Sequence, residues 1–435
     1  MESVDILIKN GSVLTMDQQD TLIKNGAVAV SADRIVEVGA GDALSASYQA
    51  AKTIDARGGI VMPGLVNTHT HAAMACFRGL ADDLPLMTWL NDYIFPAEAK
   101  LTFDIVYQGT RLACSEMILS GTTTFCDMYL FEEAVAQAAR EAGMRALVGE
   151  VIYDFPSPNY GPVEEGLKYT EALIEKWRDD PLITIAVEPH SPYTCSPVLL
   201  QKARAIADRN GVSMVIHLAE TEREVAQIRE KYGRTPVAHL ADIRFLGPDL
   251  IADHCVVLTT EDMMLLKEFD VKVAHNPESN MKLASGIAPI PELLEYGITV
   301  GIGTDGCASN NNLDLLQEMD TAAKLHKVHT LDPRVMDART VVRMATIDGA
   351  RVLGMDDITG SLEAGKKADI IIIDTRRPHL IPLYSIYSHL VYAVTGSDVV
   401  TALVNGRVLM EERILTTLDV DEAMAAVNRI ARDYA

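Results

Sequence analysis

Short apolar runs recur through the middle of the chain and alternate with segments whose apolar residues are spaced for helices. The runs lie near residues 61–67, 121–127, 144–152, 183–189, 212–217, 250–258, 271–275 and 298–304. Segments such as 103–119 and 197–210 carry apolar residues on one helical face and stop at glycine. Eight strands alternating with helices over about 300 residues predict an α/β fold, a (β/α)₈ TIM-like barrel.

The two ends of the chain have a different pattern from the middle: they contain stretches rich in β-branched residues, interrupted by Gly, Asn and Asp. Strands are expected within residues 6–11 and 27–39 and again within 368–374 and 399–408. We therefore expect a small β-sandwich domain built from both termini, closed by an amphipathic helix at about 420–434. The predicted division is 1–58 for the first part of the sandwich, 59–364 for the barrel, and 365–435 for the second part and the helix.

Composition narrows the classes of function. The 435 residues carry a net charge of −23, and no long basic run is present to neutralise nucleic-acid phosphates. The N-terminus lacks a secretory pattern, no apolar stretch is long enough to span a membrane, and the six cysteines show no C-x-x-C spacing. We expect a cytoplasmic protein with no nucleic-acid or membrane partner; a homo-oligomer is left open.

Histidines at strand ends point to a metal centre. His69 and His71 follow the first barrel run one residue apart, and side chains at i and i+2 of a strand point the same way. His217 and Asp305 end two later runs. Three neutral imidazoles and one carboxylate suit one divalent metal per chain, Zn²⁺ or alternatively Fe²⁺, with a position left for water.

Other polar residues at strand ends suggest acid–base chemistry. Glu220, three residues after a predicted ligand, would reach the pocket rim without coordinating and could carry protons. His254 could hold the attacking water, which a bound cation would activate near neutral pH, and Asp305 could accept its proton. The fourth run ends without a lysine, which favours a single metal, although Glu188 keeps a two-metal site open.

Four motifs carry a family resemblance: PGLVNTHTH at 63–71, HLAET at 217–221, HNPESNMKL at 275–283 and GTDG at 303–306. They resemble the amidohydrolase superfamily, and within it the 5-methylthioadenosine/S-adenosylhomocysteine deaminases. The resemblance spans essentially the whole chain. It implies metal-dependent hydrolytic deamination of the 6-amino group of an adenine nucleoside, a small-molecule substrate, with Glu220 giving a proton to N1.

The same resemblance implies roles in substrate binding. Glu98 matches the residue that holds the ribose hydroxyls, and His190 matches a position near the purine. Trp89 is a further candidate to flank the ligand, although a core role would explain it equally well. Glu220 and Asp305 would also contact the substrate.

Two alternatives remain at this stage. The same scaffold could act on guanine, a pterin or a triazine, which lack the ribose diol that Glu98 would hold, or it could be a non-catalytic scaffold. Within the deaminases, residues 149–162 contain no Arg or Lys where a cation would meet the carboxylate of S-adenosylhomocysteine, and Glu150 stands there instead. We therefore expect 5′-methylthioadenosine, adenosine or 5′-deoxyadenosine to be preferred.

Overall fold

The computed structural model describes residues 1–84 and 88–434. Its strands are β1 Glu2–Leu14, β2 Leu22–Ser31, β3 Arg34–Ala40, β4 Tyr48–Asp55, β5 Ile60–Pro63, β6 Leu65–Thr70, β7 Thr122–Tyr129, β8 Arg145–Ile152, β9 Ile183–Ile185, β10 Glu188–Pro189, β11 Met214–Leu218, β12 Leu250–His254, β13 Lys272–His275, β14 Val300–Ile302, β15 Ile370–Ile373, β16 Val399–Val404, β17 Arg407–Glu411 and β18 Ile414–Leu415.

Helices connect these strands. They are Gly41–Ser47, Ala72–Phe77, Trp89–Ile94, Phe95–Glu98, Phe103–Ser120, Glu132–Ala142, Val163–Trp177, Pro197–Asn210, Glu222–Tyr232, Pro236–Asp242, Thr260–Glu268, Pro277–Lys282, Ile290–Glu295, Leu315–Thr330, Ala338–Met344, Ile347–Val352, Pro378–Leu380, Ile386–Tyr392, Gly396–Asp398 and Val420–Ala431. Ala72–Phe77, Pro378–Leu380 and Gly396–Asp398 are 3₁₀ turns, and Trp89–Ile94 is a π-helical turn. Among the helices of residues 1–84 and 88–434, none is long and apolar enough to cross a lipid bilayer.

Parallel strands from the middle of the chain form the predicted TIM-type α/β barrel. Strands β6 to β10 make one parallel sheet and β11 to β14 make a second. A parallel bridge between Val187 and Met214 joins the two sheets on one side. On the other side, the Asp305 N–H donates to the His69 carbonyl at 3.0 Å. The carboxyl ends of all these strands therefore face one rim.

Several predicted strands have different limits, and the run 183–189, for example, forms two short strands, β9 and β10. The run 61–67 is split at Gly64 into β5, which belongs to the terminal sheet, and β6, which belongs to the barrel. A Cβ on Gly64 would lie 2.1 Å from Thr123 Oγ1, so only glycine allows the crossing. The run 250–258 ends early at His254, because His254 and Cys255 adopt φ values of +70° and +49°.

Strands from both termini form one nine-stranded sheet, β1 to β5 with β15 to β18. Alternate residues serve its two faces: Ile6 and Ile8 join one apolar cluster while Leu7 joins another. The two chain ends thus contribute strands to one sheet, as predicted, while the β-sandwich domain stays a prediction. A buried ion pair, Arg145 Nε to Asp369 Oδ2 at 2.9 Å, ties the barrel to this sheet.

Candidate metal centre and substrate cavity

The strand ends bring the predicted metal ligands together. His69 lies on β6 and His71 directly follows it, His217 lies on β11, and Asp305 follows β14. His254, the last residue of β12, joins the same group. Ala219, His254 and Asp305 all have positive φ, a conformation that costs free energy in non-glycine residues and is commonly kept at functional sites.

Distances within this group are those of side chains arranged around one point. Asp305 Oδ1 lies 3.1 Å from His71 Nε2 and 3.5 Å from His69 Nε2, and Asp305 Oδ2 lies 4.0 Å from His254 Nε2. Two overlapping sets of donor atoms, each within 4.8 Å of one another, could hold a metal ion: His69 with His217 and His254, and His69 with His71 and Asp305. His69 belongs to both sets.

The protonation states of the clustered side chains also favour binding of a cation. Burial lowers the pKa of His69 to about 4 and holds the pKa of His217 well below its usual value, so both rings are neutral donors. Burial raises the pKa of Asp305, but the neighbouring His69 and His71 side chains lower it by more, so its pKa lies well below the usual value and the carboxylate is ionised. The buried Nε2 of His69 has no hydrogen-bond partner in the described chain. These residues fit a divalent metal ion.

His71 differs in its titration. Burial lowers its pKa, but Asp305 and Asp127 together with the Met128 carbonyl raise it to about 9. The ring is therefore protonated in the absence of metal, and a cation bound there would displace a proton.

A cavity of about 870 Å³, including its open mouth, lies above the candidate metal ligands. Every predicted site residue except His69 lines it, and His69 lies fully buried beneath. The predicted residues in the lining are His71, Trp89, Glu98, His190, His217, Glu220, His254 and Asp305.

Glu98 and Trp89 come from the segment that follows the first barrel strand. Trp89 begins the π-helical turn and Glu98 ends the short helix after it. Burial raises the pKa of Glu98 to about 7, although the Tyr129 hydroxyl and the positive charge on His71 lower it in part. Trp89 is buried and also faces the cavity, so its core role and its ligand role are compatible.

Glu220 sits at the rim on a short loop after β11. Ser285 Oγ donates to Glu220 Oε1 at 3.3 Å. The carboxylate thus faces the cavity without entering either set of candidate metal donors. Its placement matches the predicted rim position.

Residues of the HNPESNMKL motif support the site in ways the sequence did not specify. Ser279 Oγ donates to Asp305 Oδ2 at 2.6 Å, and Asn280 Oδ1 lies 2.9 Å from His254 Nδ1. His275 instead faces His326, Nε2 to Nε2 at 3.0 Å, and does not line the cavity. The resemblance drew attention to this motif, but only the contacts assign a partner to each residue.

The cavity wall after β8 corrects part of the prediction about the 5′ substituent. Tyr153 and Phe155 line it and stack with ring centroids 3.8 Å apart. Glu150 is fully buried, accepts hydrogen bonds from the Glu132 N–H and Asn159 Nδ2, and does not line the cavity. The expected repulsion between Glu150 and a substrate carboxylate is therefore wrong, because Glu150 does not face the cavity. The described lining nevertheless contains no Lys or Arg.

Glu188, the residue that left a two-metal site open, lies apart from the metal group. It is fully buried at β10, and neither of its side-chain oxygens has a hydrogen-bond partner in the described chain. Its side chain fills the space over Gly149, where a Cβ would lie 2.4 Å from Glu188 Cδ. Among residues 1–84 and 88–434, Glu188 enters no candidate set of metal ligands.

Comparison with known proteins gives consistent matches. Residues 60–409 match the Amidohydrolase family. The chain is 62% identical, over 98% of both chains, to 5-methylthioadenosine/S-adenosylhomocysteine deaminase of Syntrophobacter fumaroxidans. It is 47% identical to 5′-deoxyadenosine deaminase of Methanosarcina barkeri, over 99% of this chain and 98% of that one. The crystal structure of an adenosine deaminase from Xanthomonas campestris with bound zinc superposes with a TM-score of 0.97 at 39% identity, covering 99% of this chain and 98% of that one.

Proposed function

The chain belongs to the amidohydrolase family, and from that membership we propose that it is a zinc-dependent deaminase of adenine nucleosides. The reaction converts the 6-amino group to a carbonyl: a C6–O bond forms from water, the C6–N bond breaks, and ammonia leaves. The observation that carries this proposal is one cavity with the histidine and Asp305 cluster at its base and Glu98 on its wall. The names of the similar proteins support the same chemistry.

His69, His71, His217 and Asp305 are proposed to hold the metal. When bound, the cation supplies a Lewis acid that lowers the pKa of water towards neutrality. Zinc is the proposed ion because nitrogen-rich donor sets with one carboxylate suit it and because the superposed adenosine deaminase contains zinc.

Proton transfers are assigned to side chains at the base of the cavity. Protonated Glu220 donates to N1 of the purine, which makes C6 electrophilic. His254 orients the attacking water, Asp305 accepts one of its protons and passes it to the leaving amine, and the Glu220 carboxylate takes up the other as the C6 carbonyl forms, which restores the protonated acid. Zinc-dependent nucleobase deaminases of a different fold use a non-ligand glutamate for the same purpose.

Substrate binding is assigned to the cavity wall. Glu98 accepts hydrogen bonds from the two ribose hydroxyls, a charge-assisted contact when its carboxylate is ionised. His190 lies beside His217, with ring centroids 4.8 Å apart, where it can contact the purine. Trp89 flanks the ligand.

The domain division is part of the same proposal. The nine-stranded sheet supports a terminal domain formed by residues 1–58 and 365–435, with 59–364 as the catalytic barrel. The strand Ile60–Pro63 pairs with β1 and β15 in that sheet, so the chain enters the barrel at Gly64 rather than at residue 59.

An ammonia-release screen on zinc-loaded protein tests the proposal. The compounds are adenosine, 5′-methylthioadenosine, 5′-deoxyadenosine, S-adenosylhomocysteine, guanine, cytosine, a pterin and a triazine. We expect ammonia only from the adenine nucleosides. Release from guanine, the pterin or the triazine alone would support the alternative heterocycle, and no release from any compound would support a non-catalytic scaffold.

A further inference from the structure

In three of the four clustered histidines, the Nδ1 atom lies within hydrogen-bond distance of an uncharged oxygen. The partners are the Met128 carbonyl for His71, the His190 carbonyl for His217 at 2.9 Å, and Asn280 Oδ1 for His254 at 2.9 Å. An acceptor at Nδ1 fixes the tautomer that carries the proton there, which leaves Nε2 free to donate its lone pair to a metal.

His69 is the exception within this group. Its Nδ1 lies 3.1 Å from Asp253 Oδ2, and both side chains have 0% exposure. In the described chain neither oxygen of Asp253 and neither ring nitrogen of His69 has another polar atom in hydrogen-bonding geometry, so the 3.1 Å approach is the polar contact that these two buried groups share. Buried polar groups normally have a partner, and in the described chain the imidazole of His69 is the ion-pair contact of the Asp253 carboxyl group.

His69 is also common to both candidate sets of metal donors. A side chain that fixes the orientation of His69 therefore affects binding of the cation, whichever of the two sets of donor atoms binds it. Asp253 and His254 are the last two residues of β12. The end of this strand therefore supplies His254 to the group of candidate metal ligands and Asp253 to the buried side chains behind that group.

We propose that Asp253 is a positioning residue for the metal centre, holding His69 through Nδ1 so that Nε2 faces the cation. The inference rests on the proposed metal site. A carboxylate behind a histidine ligand increases the basicity of that ligand and fixes its ring. If the bound cation holds Asp253 in its ionised form, the carboxylate would also add a second negative charge near the buried ion, beside that of Asp305, and so offset the cost of burying it.

Glu188 provides a matched control. Like Asp253 it is a fully buried carboxylate inside the barrel with no hydrogen-bond partner in the described chain. It forms no ion pair with an imidazole in that part of the chain, whereas Asp253 faces His69. Each amide substitution changes one buried carboxyl group, but only Asp253→Asn changes a group that faces a proposed metal ligand.

The test measures zinc affinity by chelator competition on the full chain, without reference to turnover. Asp253→Asn should bind zinc about 10–100-fold more weakly than the wild type, the usual effect of changing a partner behind a ligand. Glu188→Gln should bind zinc with little change. In the cobalt-substituted proteins, the visible spectrum should shift for Asp253→Asn and not for Glu188→Gln. If Asp253→Asn does not fold, Asp253→Ala takes its place.

Each outcome has one interpretation. Unchanged zinc affinity in Asp253→Asn, or an equal loss in Glu188→Gln, would overturn the positioning role. A wild-type chain that binds no zinc would overturn the metal site as well. A wild-type chain that binds zinc but deaminates no nucleoside would overturn the proposed activity and leave the role of Asp253 standing on its own measurement.

Discussion

The backbone N–H of Glu220 donates to Oε2 of Glu224 at 2.8 Å, and the N–H of Ala219 donates to Oε1 of the same carboxylate at 3.0 Å. Glu224 is buried in the first turn of the helix Glu222–Tyr232, and Ala219 has a φ of +52°. One buried side chain therefore holds the left-handed turn that presents the proposed proton donor to the cavity.

Replacing Glu220 by Gln should leave zinc binding intact and remove most turnover. The amide cannot deliver a proton to N1, and loss of one general acid costs about 10²–10⁴-fold in kcat. Steady-state kinetics with elemental analysis of the same sample measure both effects. Glu222→Gln, an exposed change two residues away, is the control and should retain activity. Near-normal kcat in Glu220→Gln would exclude this residue as the proton carrier.

Ribose recognition should depend on pH through Glu98. Burial raises the pKa of this carboxyl to about 7. The ionised form, present above that pH, accepts from both hydroxyls, while the protonated form below it loses an acceptor and its charge. The kcat/KM for adenosine divided by that for 2′,3′-dideoxyadenosine should therefore rise with pH through about 7.

The ratio isolates Glu98 because both substrates meet the same metal centre and the same proton donors. Glu98→Gln should make it independent of pH and lower it. A flat ratio in the wild type would show that Glu98 does not hold the diol.

Selectivity for the 5′ substituent should follow the uncharged cavity wall. Because no Lys or Arg of the described chain lines the cavity, the carboxylate of S-adenosylhomocysteine lacks a cationic partner there. A charged hydrogen bond contributes about 1.5–3 kcal/mol, which corresponds to roughly 10–150-fold in kcat/KM. We expect 5′-methylthioadenosine and 5′-deoxyadenosine to be preferred by about this factor.

A gain-of-function variant sharpens that prediction. Phe155 lines the cavity and is 43% exposed, so Phe155→Arg would add a cation at the mouth without filling the core. It should improve S-adenosylhomocysteine relative to 5′-methylthioadenosine, whereas Phe155→Leu should not. Equal efficiency of the two substrates in the wild type would mean that another cationic group reaches the site.

Metal content should be one zinc per chain. Removal by a chelator should abolish turnover and lower Tm, since an ion that binds only the folded state stabilises it by about 4 kcal/mol at 1,000 times its Kd. Elemental analysis and thermal unfolding before and after chelation measure this. Two tightly held metals per active chain would contradict a mononuclear site.

The placement of the predicted metal ligands at the ends of barrel strands was predictable, because apolar runs and the common direction of side chains i and i+2 are local properties of the chain. His69 and His71 share a direction on one strand, and the closing strand ends near Asp305, so barrel order alone brings these residues to one rim. The same reasoning predicts that Glu220 lies at the rim of the cavity, where its proposed acid–base role would place it.

Contacts between distant residues were decided only by the tertiary structure. In the sequence, Asp253 is only a polar residue that precedes His254. In the structure its carboxyl group faces His69, which lies 184 positions earlier in the chain. Closure of the barrel decides which interior side chains come into contact. Glu150 reads as part of the cavity wall, yet it turns away to bind the Glu132 N–H. Periodicity gives the face on which a side chain lies, but the partner on that face depends on the packing of strands that the sequence places far apart.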